Sequence, residues 1–161
     1  MEIRPLTHDD WPRVRAIFVE GIATGNATFE TKPPSWEEFD ATHLKEHRLV
    51  AVEAGEVVGW IALASTSSRG CYAGVVEDSV YVAEEARGHG VGAALLDALI
   101  ASADEAGLWT IEAGMFPENA ATIALHERAG FRLVGRRERI GQLGGVWRDT
   151  LLFERRSSSV G

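Results

Sequence analysis

Six consecutive residues, from Arg87 to Gly92, have the residue types and spacing of an anion-binding loop. They read Arg-Gly-His-Gly-Val-Gly, between an apolar run that ends at Val82 and an amphipathic stretch that begins at Gly90. Glycines at a helix N-terminus let backbone N–H groups approach an anion closely, and the helix dipole adds partial positive charge there. The segment therefore predicts a phosphate-binding loop in which the arginine donates charge-assisted hydrogen bonds.

One class of phosphate ligand that fits the local spacing is a dinucleotide. Gly88-x-Gly90-x-x-Ala93 matches the relaxed dinucleotide fingerprint, and Glu112 lies near the position of its ribose-binding acid. A dinucleotide loop leaves its strand almost directly, however, whereas residues 83–86 intervene here. Too little chain follows the loop for the further βα units of that fold. These observations disfavour a dinucleotide-dependent oxidoreductase.

Composition sets the broad class of the protein. The chain has 161 residues, 45% hydrophobic and 25% charged, which suits one domain with a sizeable core. The net charge of −8 argues against a general nucleic-acid surface, and no apolar run reaches membrane-spanning length. Cys71 is the single cysteine, and the N-terminus lacks the apolar segment of a signal peptide. We therefore expect a cytoplasmic protein without nucleic-acid or membrane partners.

Hydrophobic periodicity predicts the elements that position the loop. Strands are predicted at residues 2–6, 48–53, 56–64, 74–82, 108–113, 131–139 and 146–153, and helices at residues 9–20, 35–45, 90–106 and 119–129. The order βαα-βββ-αβ-αββ predicts an α+β fold, a mixed and strongly twisted sheet flanked by helices. We expect a single domain over residues 1–155 and a flexible tail at residues 156–161.

This order of elements around the loop resembles the fold of the GNAT acetyltransferases, which bind acetyl-coenzyme A (acetyl-CoA). Arg87-x-x-Gly90-x-Gly92 is similar to their pyrophosphate loop. A second block, Asn119 to Phe131, is similar to the family pattern Asn-x5-Leu-(Tyr/His)-x3-Gly-Phe. The resemblance covers nearly the whole chain, and it implies a single-domain acetyltransferase with acetyl-CoA as the acyl donor.

Three further blocks resemble one branch of that superfamily. Residues 26–30 (Asn-Ala-Thr-Phe-Glu), 76–81 (Val-Glu-Asp-Ser-Val-Tyr) and 125–127 (Leu-His-Glu) are similar to the phosphinothricin and methionine-sulfoximine N-acetyltransferases. This likeness implies direct transfer of the acetyl group to the α-amine of a small amino acid or amino-acid analogue. The alternatives are a non-catalytic acyl-CoA-binding module and an acetyltransferase of peptide N-termini or polyamines.

The resemblance also implies which residues bind the coenzyme. They are Val80, Tyr81, Val82, Arg87, Gly88, His89, Gly90, Val91, Gly92, Ala93 and Asn119. His89 stands where many relatives have arginine, and histidine is mostly neutral near pH 7, so we expect slightly weaker coenzyme binding. In this superfamily the strand around Val80 is bulged, which implies a free backbone N–H that polarises the thioester carbonyl.

Two residues are candidates for proton transfer. Acetyl transfer to an amine requires a neutral amine, donors for the oxyanion and a proton for the thiolate. The resemblance suggests that Glu77, on the strand beside the loop, acts on the amine directly or through water. His126 stands where many of these enzymes have tyrosine, on the same helix face as Asn119 seven residues earlier. The sequence leaves open which of the two is the base.

The acceptor site is the least determined part of the sequence. The candidates are Phe29, Glu30, Arg69, Tyr72 and Trp147. An arginine suits a carboxylate or phosphinate, whereas Trp147 fits a buried core position equally well. Relatives that use phosphinothricin often have Arg-x-Arg-x-x-Tyr, and here Ser67 replaces the first arginine. We predict no metal site, and from the resemblance alone we expect a homodimer.

Overall fold

The computed structural model describes every residue from Met1 to Gly161. It contains a seven-stranded mixed sheet with helices on both faces. The strands are β1 (Glu2–Pro5), β2 (Arg48–Glu53), β3 (Glu56–Ser65), β4 (Val75–Val82), β5 (Thr110–Met115), β6 (Arg132–Leu143) and β7 (Val146–Arg156). The helices are α1 (Trp11–Ala23), α2 (Trp36–Thr42), α3 (Val91–Glu105) and α4 (Ala120–Arg128), with short 3-10 turns at His8–Asp10, Gly70–Tyr72 and Glu84–Ala86. The predicted order and fold class are confirmed.

The strands lie in the order β1-β2-β3-β4-β5-β7-β6, and only the pair β4–β5 is parallel. β6 extends beyond its predicted end to Leu143, because its pairing with β7 continues past two register shifts. β7 extends to Arg156, because its last two residues pair with Ile111 and Thr110 of β5. Helix α2 ends at Thr42, three residues earlier than predicted, where the chain turns extended at His43.

Each face of the central strands packs against a different helix. On one face, the rings of Phe18 from α1, Trp60 from β3 and Tyr81 from β4 stack at centroid distances of 4.9–6.0 Å. On the other face α3 approaches so closely that a Cβ on Gly59 would lie 2.9 Å from Val91. The core thus fixes β4 between the two helix layers, and β4 carries four of the predicted site residues, Glu77, Val80, Tyr81 and Val82.

β4 and β5 separate after a short parallel ladder. Only three residue pairs join them, Val75–Thr110, Val76–Ile111 and Glu77–Glu112, although β4 continues to Val82. The backbone of β4 beyond Glu77 therefore has no strand on its β5 side. This opening lies directly before the predicted phosphate loop.

The predicted bulge in β4 is absent, and this expectation is corrected. The pairing of β4 with β3 runs without a register shift from Val76–Ser65 to Val82–Gly59. The separation of β4 from β5, and not an extra residue, exposes backbone groups of β4. The physical reason is that only one side of the strand has lost its ladder.

The C-terminal residues are ordered by local hydrogen bonds, which corrects the expectation of a flexible tail. Ser157 is buried, and its amide donates to the Trp109 carbonyl at 2.8 Å. The Arg156 guanidinium donates to the carbonyl of Val160 at 2.8 Å. No helix of the structure is both long and apolar enough to cross a membrane.

Gly74 lies where the β4–β5 ladder begins, and replacing it with alanine is expected to destabilise the fold. A Cβ there would lie 2.1 Å from the Trp109 ring, so the indole or the strand must move. Overpacking of this kind lowers the free energy of unfolding by about 1–3 kcal/mol. Gly70→Ala is the control, because a Cβ at Gly70 meets nothing within 4 Å. Urea unfolding measures both variants, and equal stabilities would contradict this account.

Candidate functional site

The predicted phosphate loop forms an open cradle at the N-terminus of α3. Gly88 and Gly90 have φ values of +80° and +81°, which glycine adopts without strain, and a Cβ on either would meet nothing within 4 Å. The backbone amides of residues 88–93 donate no hydrogen bond within the chain. The first turn of α3 contains no acidic residue and has no side-chain cap. Six free amides at a helix N-terminus form an anion site.

The side chains of the loop leave the cradle accessible. Arg87 is exposed, and its Nε donates to the Val82 carbonyl at 3.3 Å, which holds the guanidinium beside the end of β4. His89 is exposed and makes no hydrogen bond within the chain. The structure therefore brings a fixed arginine to the free amides, in agreement with the chemistry predicted for this loop.

Alternate residues of β4 direct their backbone N–H groups towards the opening. The Ala83 amide donates to the Val58 carbonyl of β3 at 2.8 Å. Because amides alternate in direction along a strand, those of Ser79 and Tyr81 also face β3. The amide of Val80 accordingly faces the side from which β5 has departed, so it is a free donor between the two strands.

The side chain of Tyr81 lies on the face of β4 that packs against α1. Its ring stacks on Phe18 and Trp60. Burial, and to a smaller extent the charge of Glu30, raises the pKa of its hydroxyl to about 12. A hydrogen bond with Thr28 opposes this shift. The hydroxyl thus stays protonated at neutral pH. The Tyr81 side chain therefore contacts the loop that follows α1, through Thr28.

Glu77 is the last residue of β4 that pairs with β5. It remains exposed, and its register partner Glu112 points to the same face of the sheet. Partial loss of water around the carboxylate, together with the charges of Asp78 and Glu112, raises the pKa of Glu77 above its ordinary value, and Arg137 opposes the shift. The structure therefore places an accessible carboxylate of raised basicity at the start of the opening.

His126 is buried and not open to a ligand, which corrects the expectation that it lies on the helix face that meets the coenzyme. It is 2% exposed; its Nε2 contacts the Asp78 carboxylate at 3.0 Å, and its Nδ1 donates to the Thr122 carbonyl at 2.8 Å. Burial lowers the pKa of His126, but the hydrogen bond and charge of Asp78 outweigh this and raise it above its ordinary value. Both nitrogens are engaged, so His126 joins α4 to β4, and the raised pKa favours its charged form beside the Asp78 carboxylate.

Asn119 is the N-cap of α4, a role that its sequence position also favours, and it makes a contact with a distant loop that the sequence did not reveal. As the N-cap of α4 it accepts from the Thr122 amide at 3.2 Å, and its Nδ2 donates to the Asn26 carbonyl at 3.1 Å. Both polar atoms of its amide are thus engaged within the protein. The amide nitrogen keeps a second N–H, so the contact of Asn119 with coenzyme stays a prediction beside these contacts.

Arg148 is the site residue that sequence reasoning missed. Its guanidinium lies 4.1 Å from the centroid of the Phe116 ring and donates to Oδ1 of Asn26 at 2.8 Å and to the Gly25 carbonyl at 3.0 Å. Glu118 lies 3.5 Å away. No local pattern marks this residue, because its hydrogen-bond partners are more than 100 residues away in the sequence.

The acceptor candidates are not all brought together. Phe29 packs against Phe116 with the ring centroids 4.8 Å apart, and Glu30 is exposed beside it. Arg69 stacks over Tyr72 at 5.5 Å on the loop before β4.

Trp147 lies near the tip of the β6–β7 hairpin and is 55% exposed, so the core position considered for it is wrong. Trp147 and Arg148 are adjacent in β7, so their side chains point to opposite faces of the hairpin. Trp147 therefore does not join Phe29 and Arg148.

The fold and the site together define an α+β protein with free backbone amides at a helix N-terminus, beside two parallel strands that diverge. The sequence model of the acetyltransferase (GNAT) family matches residues 7–131. The chain belongs to the GNAT acetyltransferase family.

Two relatives and one solved structure are similar to the chain over most of its length. The chain is 35% identical over 160 residues to a phosphinothricin N-acetyltransferase of Alcaligenes faecalis, covering 95% of this chain and 81% of the relative. It is 34% identical over 153 residues to an L-methionine sulfoximine/L-methionine sulfone acetyltransferase of Pseudomonas paraeruginosa, covering 90% and 88%. Among solved structures, a GNAT superfamily phosphinothricin acetyltransferase of Sinorhizobium meliloti in complex with acetyl-CoA superimposes with a TM-score of 0.89 at 30% identity, covering 99% and 89%.

The His126–Asp78 ion pair is expected to make stability depend on pH. Because the pKa of His126 is higher in the folded than in the unfolded protein, its contribution is complete below about pH 6.5 and is lost as the pH rises through the raised value. The free energy of unfolding should therefore decrease with rising pH in this window, and the decrease should vanish in His126→Gln. Urea unfolding at intervals between pH 6 and 9 measures it; parallel curves for the two proteins would refute the assignment.

Proposed function

We propose that the protein transfers the acetyl group of acetyl-CoA directly to the α-amine of a small amino acid or amino-acid analogue. The observation that carries this proposal is the row of six free amides at the N-terminus of α3, which leads along β4 to the accessible carboxylate of Glu77. Relatives named for phosphinothricin and for methionine sulfoximine or sulfone support the choice of acceptor class.

The loop fits the pyrophosphate of acetyl-CoA. A phosphate group needs room, donors and positive potential, and the cradle supplies the open space over Gly88 and Gly90, the amides of residues 88–93 and the guanidinium of Arg87. When bound, acetyl-CoA would supply an acetyl thioester. The amine would bond to its carbonyl carbon as the bond from that carbon to sulfur breaks, and coenzyme A would leave as the thiol with the proton that the amine loses. The free amide of Val80 is the donor to the carbonyl oxygen as that oxygen gains negative charge.

Glu77 is the proposed base for the acceptor amine. Free α-amines have pKa values near 8, so near neutral pH the amine must lose a proton before it can attack. A carboxylate of raised pKa accepts that proton more readily, directly or through one water molecule. His126 has a different role, because its ion pair with Asp78 fixes β4 to α4 where the ladder with β5 has ended.

The acceptor is proposed to lie under the loop Gly25–Glu30. Arg148 and Asn119 hold this loop from two different elements, and Phe29 packs on Phe116. A fixed loop places its side chains with little loss of conformational entropy when the acceptor binds.

Two further properties are proposed. The hairpin β6–β7 exposes Leu133, Val134, Ile140, Val146 and Trp147, and an apolar edge of this kind supports association into a homodimer. The exposed free Cys71 supports a reducing, cytoplasmic location, and the net charge of −8 gives no support to nucleic-acid binding. Light scattering of the purified protein tests the dimer.

A panel of amines tests the proposed reaction. Thiol release from acetyl-CoA is measured with the standard amino acids, L-methionine sulfoximine, L-methionine sulfone, phosphinothricin, polyamines and short peptides. Turnover confined to the amino acids and their analogues is the expected result. Turnover of polyamines or peptides alone would overturn the acceptor class, and coenzyme binding without any turnover would indicate an acyl-CoA-binding module.

Gly90→Glu is expected to abolish acetyl-CoA binding, because a side chain and a negative charge would enter the cradle. The matched control is Gly107→Glu, which places the same residue in the same left-handed conformation beyond the opposite end of α3. Calorimetric titration with acetyl-CoA should show at least about a 100-fold difference in Kd, from the lost phosphate contacts and the added repulsion. Equal affinities would exclude the cradle as the phosphate site.

Glu77→Gln is expected to lower kcat by about 100-fold at pH 7, the usual range for a general base. The loss should diminish above pH 8, where the amine is already neutral. KM for acetyl-CoA should stay unchanged, because Glu77 lies apart from the loop. A constant deficit at every pH would argue against a role in proton removal.

Glu112→Gln provides the companion measurement. The negative charge of Glu112 raises the pKa of Glu77, so its removal should shift the acidic limb of the kcat/KM profile to lower pH. An unchanged limb would mean that another group controls the profile.

A further inference from the structure

Arg137 lies in β6 without a partner. Two other arginines of the hairpin are engaged: Arg136 donates to Asp149 at 2.7 Å, and Arg148 donates to Asn26 at 2.8 Å. Arg137 is exposed and makes no hydrogen bond or ion pair within the chain. A guanidinium that the fold leaves unpaired is available to a ligand, since arginine matches the planar geometry of a carboxylate.

The register of the strands shows which face of the sheet carries this arginine. Arg137 pairs with Thr150 of β7, and Leu152, two residues further along β7, pairs with Gly114 of β5. Paired residues point to the same face, as do residues two apart in one strand.

The same rule continues the face to β4. Glu112 lies two residues before Gly114 and pairs with Glu77. Arg137, Glu112 and Glu77 are therefore on one face of the sheet. This is also the face from which Arg148 reaches the acceptor loop.

This face of the sheet is uncovered at two glycines in the strands between the carboxylates and the arginine. A Cβ placed on Gly114 or on Gly135, which both pair with Leu152, would meet no atom within 4 Å. The charge of Arg137 acts on Glu77 across this face, since it lowers the pKa that burial, Asp78 and Glu112 raise. Opposite charges thus lie on the same face of the sheet.

We propose that Arg137 binds the α-carboxylate of the acceptor amino acid and thereby selects acceptors that carry a free carboxylate. The inference rests on the proposed function, because it assigns the amine of that acceptor to Glu77. The amine and carboxylate of an α-amino acid are attached to one carbon, so their two binding groups must lie close together. An amine without a carboxylate leaves the guanidinium without a partner and is bound more weakly.

Arg137→Gln tests the proposal with one amino acid in two forms. The acceptors are L-methionine sulfone, or the best amino acid of the panel, and its methyl ester, assayed at pH 8.5 so that Glu77 is ionised in every variant. We expect kcat/KM for the free acid to decrease by about 10- to 100-fold, mainly through KM, as for a lost charge-assisted hydrogen bond. The value for the ester and KM for acetyl-CoA should change less than threefold, about the effect of a surface substitution.

Two variants serve as controls. Arg136→Gln changes the adjacent residue, which faces the other way and pairs with Asp149, and it should leave the preference for the acid intact. Arg137→Lys should restore part of it, because the charge remains.

The outcomes separate the inference from the proposed function. Wild-type protein that acetylates acid and ester equally well would overturn the inference alone, because no residue would then bind the carboxylate. An Arg137→Gln variant that keeps the wild-type preference would also overturn it and point to Arg69 as the carboxylate ligand. An equal loss in Arg136→Gln would also overturn it, since the hairpin as a whole would then be responsible. A wild type that acetylates no amine would overturn the proposed function and the inference with it.

Discussion

The separation of β4 from β5 after three residue pairs is the constraint on which the rest of the site depends. A strand that loses its neighbour leaves backbone groups without partners, and buried groups of that kind are costly. On one face of the sheet, the His126–Asp78 ion pair joins β4 to α4 and so stabilises the position of the strand. The chain leaves the amide of Val80 free in the opening, so that the unpaired donor is available to a ligand.

The carboxylates around this opening lie near positively charged side chains. Glu77, Asp78 and Glu112 bring three carboxylates together in a protein whose net charge is already −8. His126 neutralises Asp78 on the helix face, and Arg137 acts on Glu77 on the opposite face. The phosphate cradle lies beyond these carboxylates, at the end of α3 where no acidic side chain enters the first turn. An acidic protein can therefore bind an anionic coenzyme, because the potential is set by nearby groups.

The loop Gly25–Glu30 depends on residues that belong to three other elements. Asn119 caps α4 and holds the Asn26 carbonyl, and Arg148 of β7 holds its side chain while stacking on Phe116, which follows β5. The loop is thus held from α4, from β7 and from the segment after β5.

The sequence by itself determined the order of the elements, the phosphate loop and the family, because these depend on local periodicity and on glycines at fixed spacing. Only the tertiary structure decided that His126 is buried against Asp78, 48 residues away, and that Arg148 reaches Asn26, 122 residues away. Tertiary structure likewise removed the bulge from β4, exposed Trp147 and ordered the tail. The physical reason is that side-chain partners across a sheet are set by register and packing between distant segments, which leave no periodic pattern in the chain.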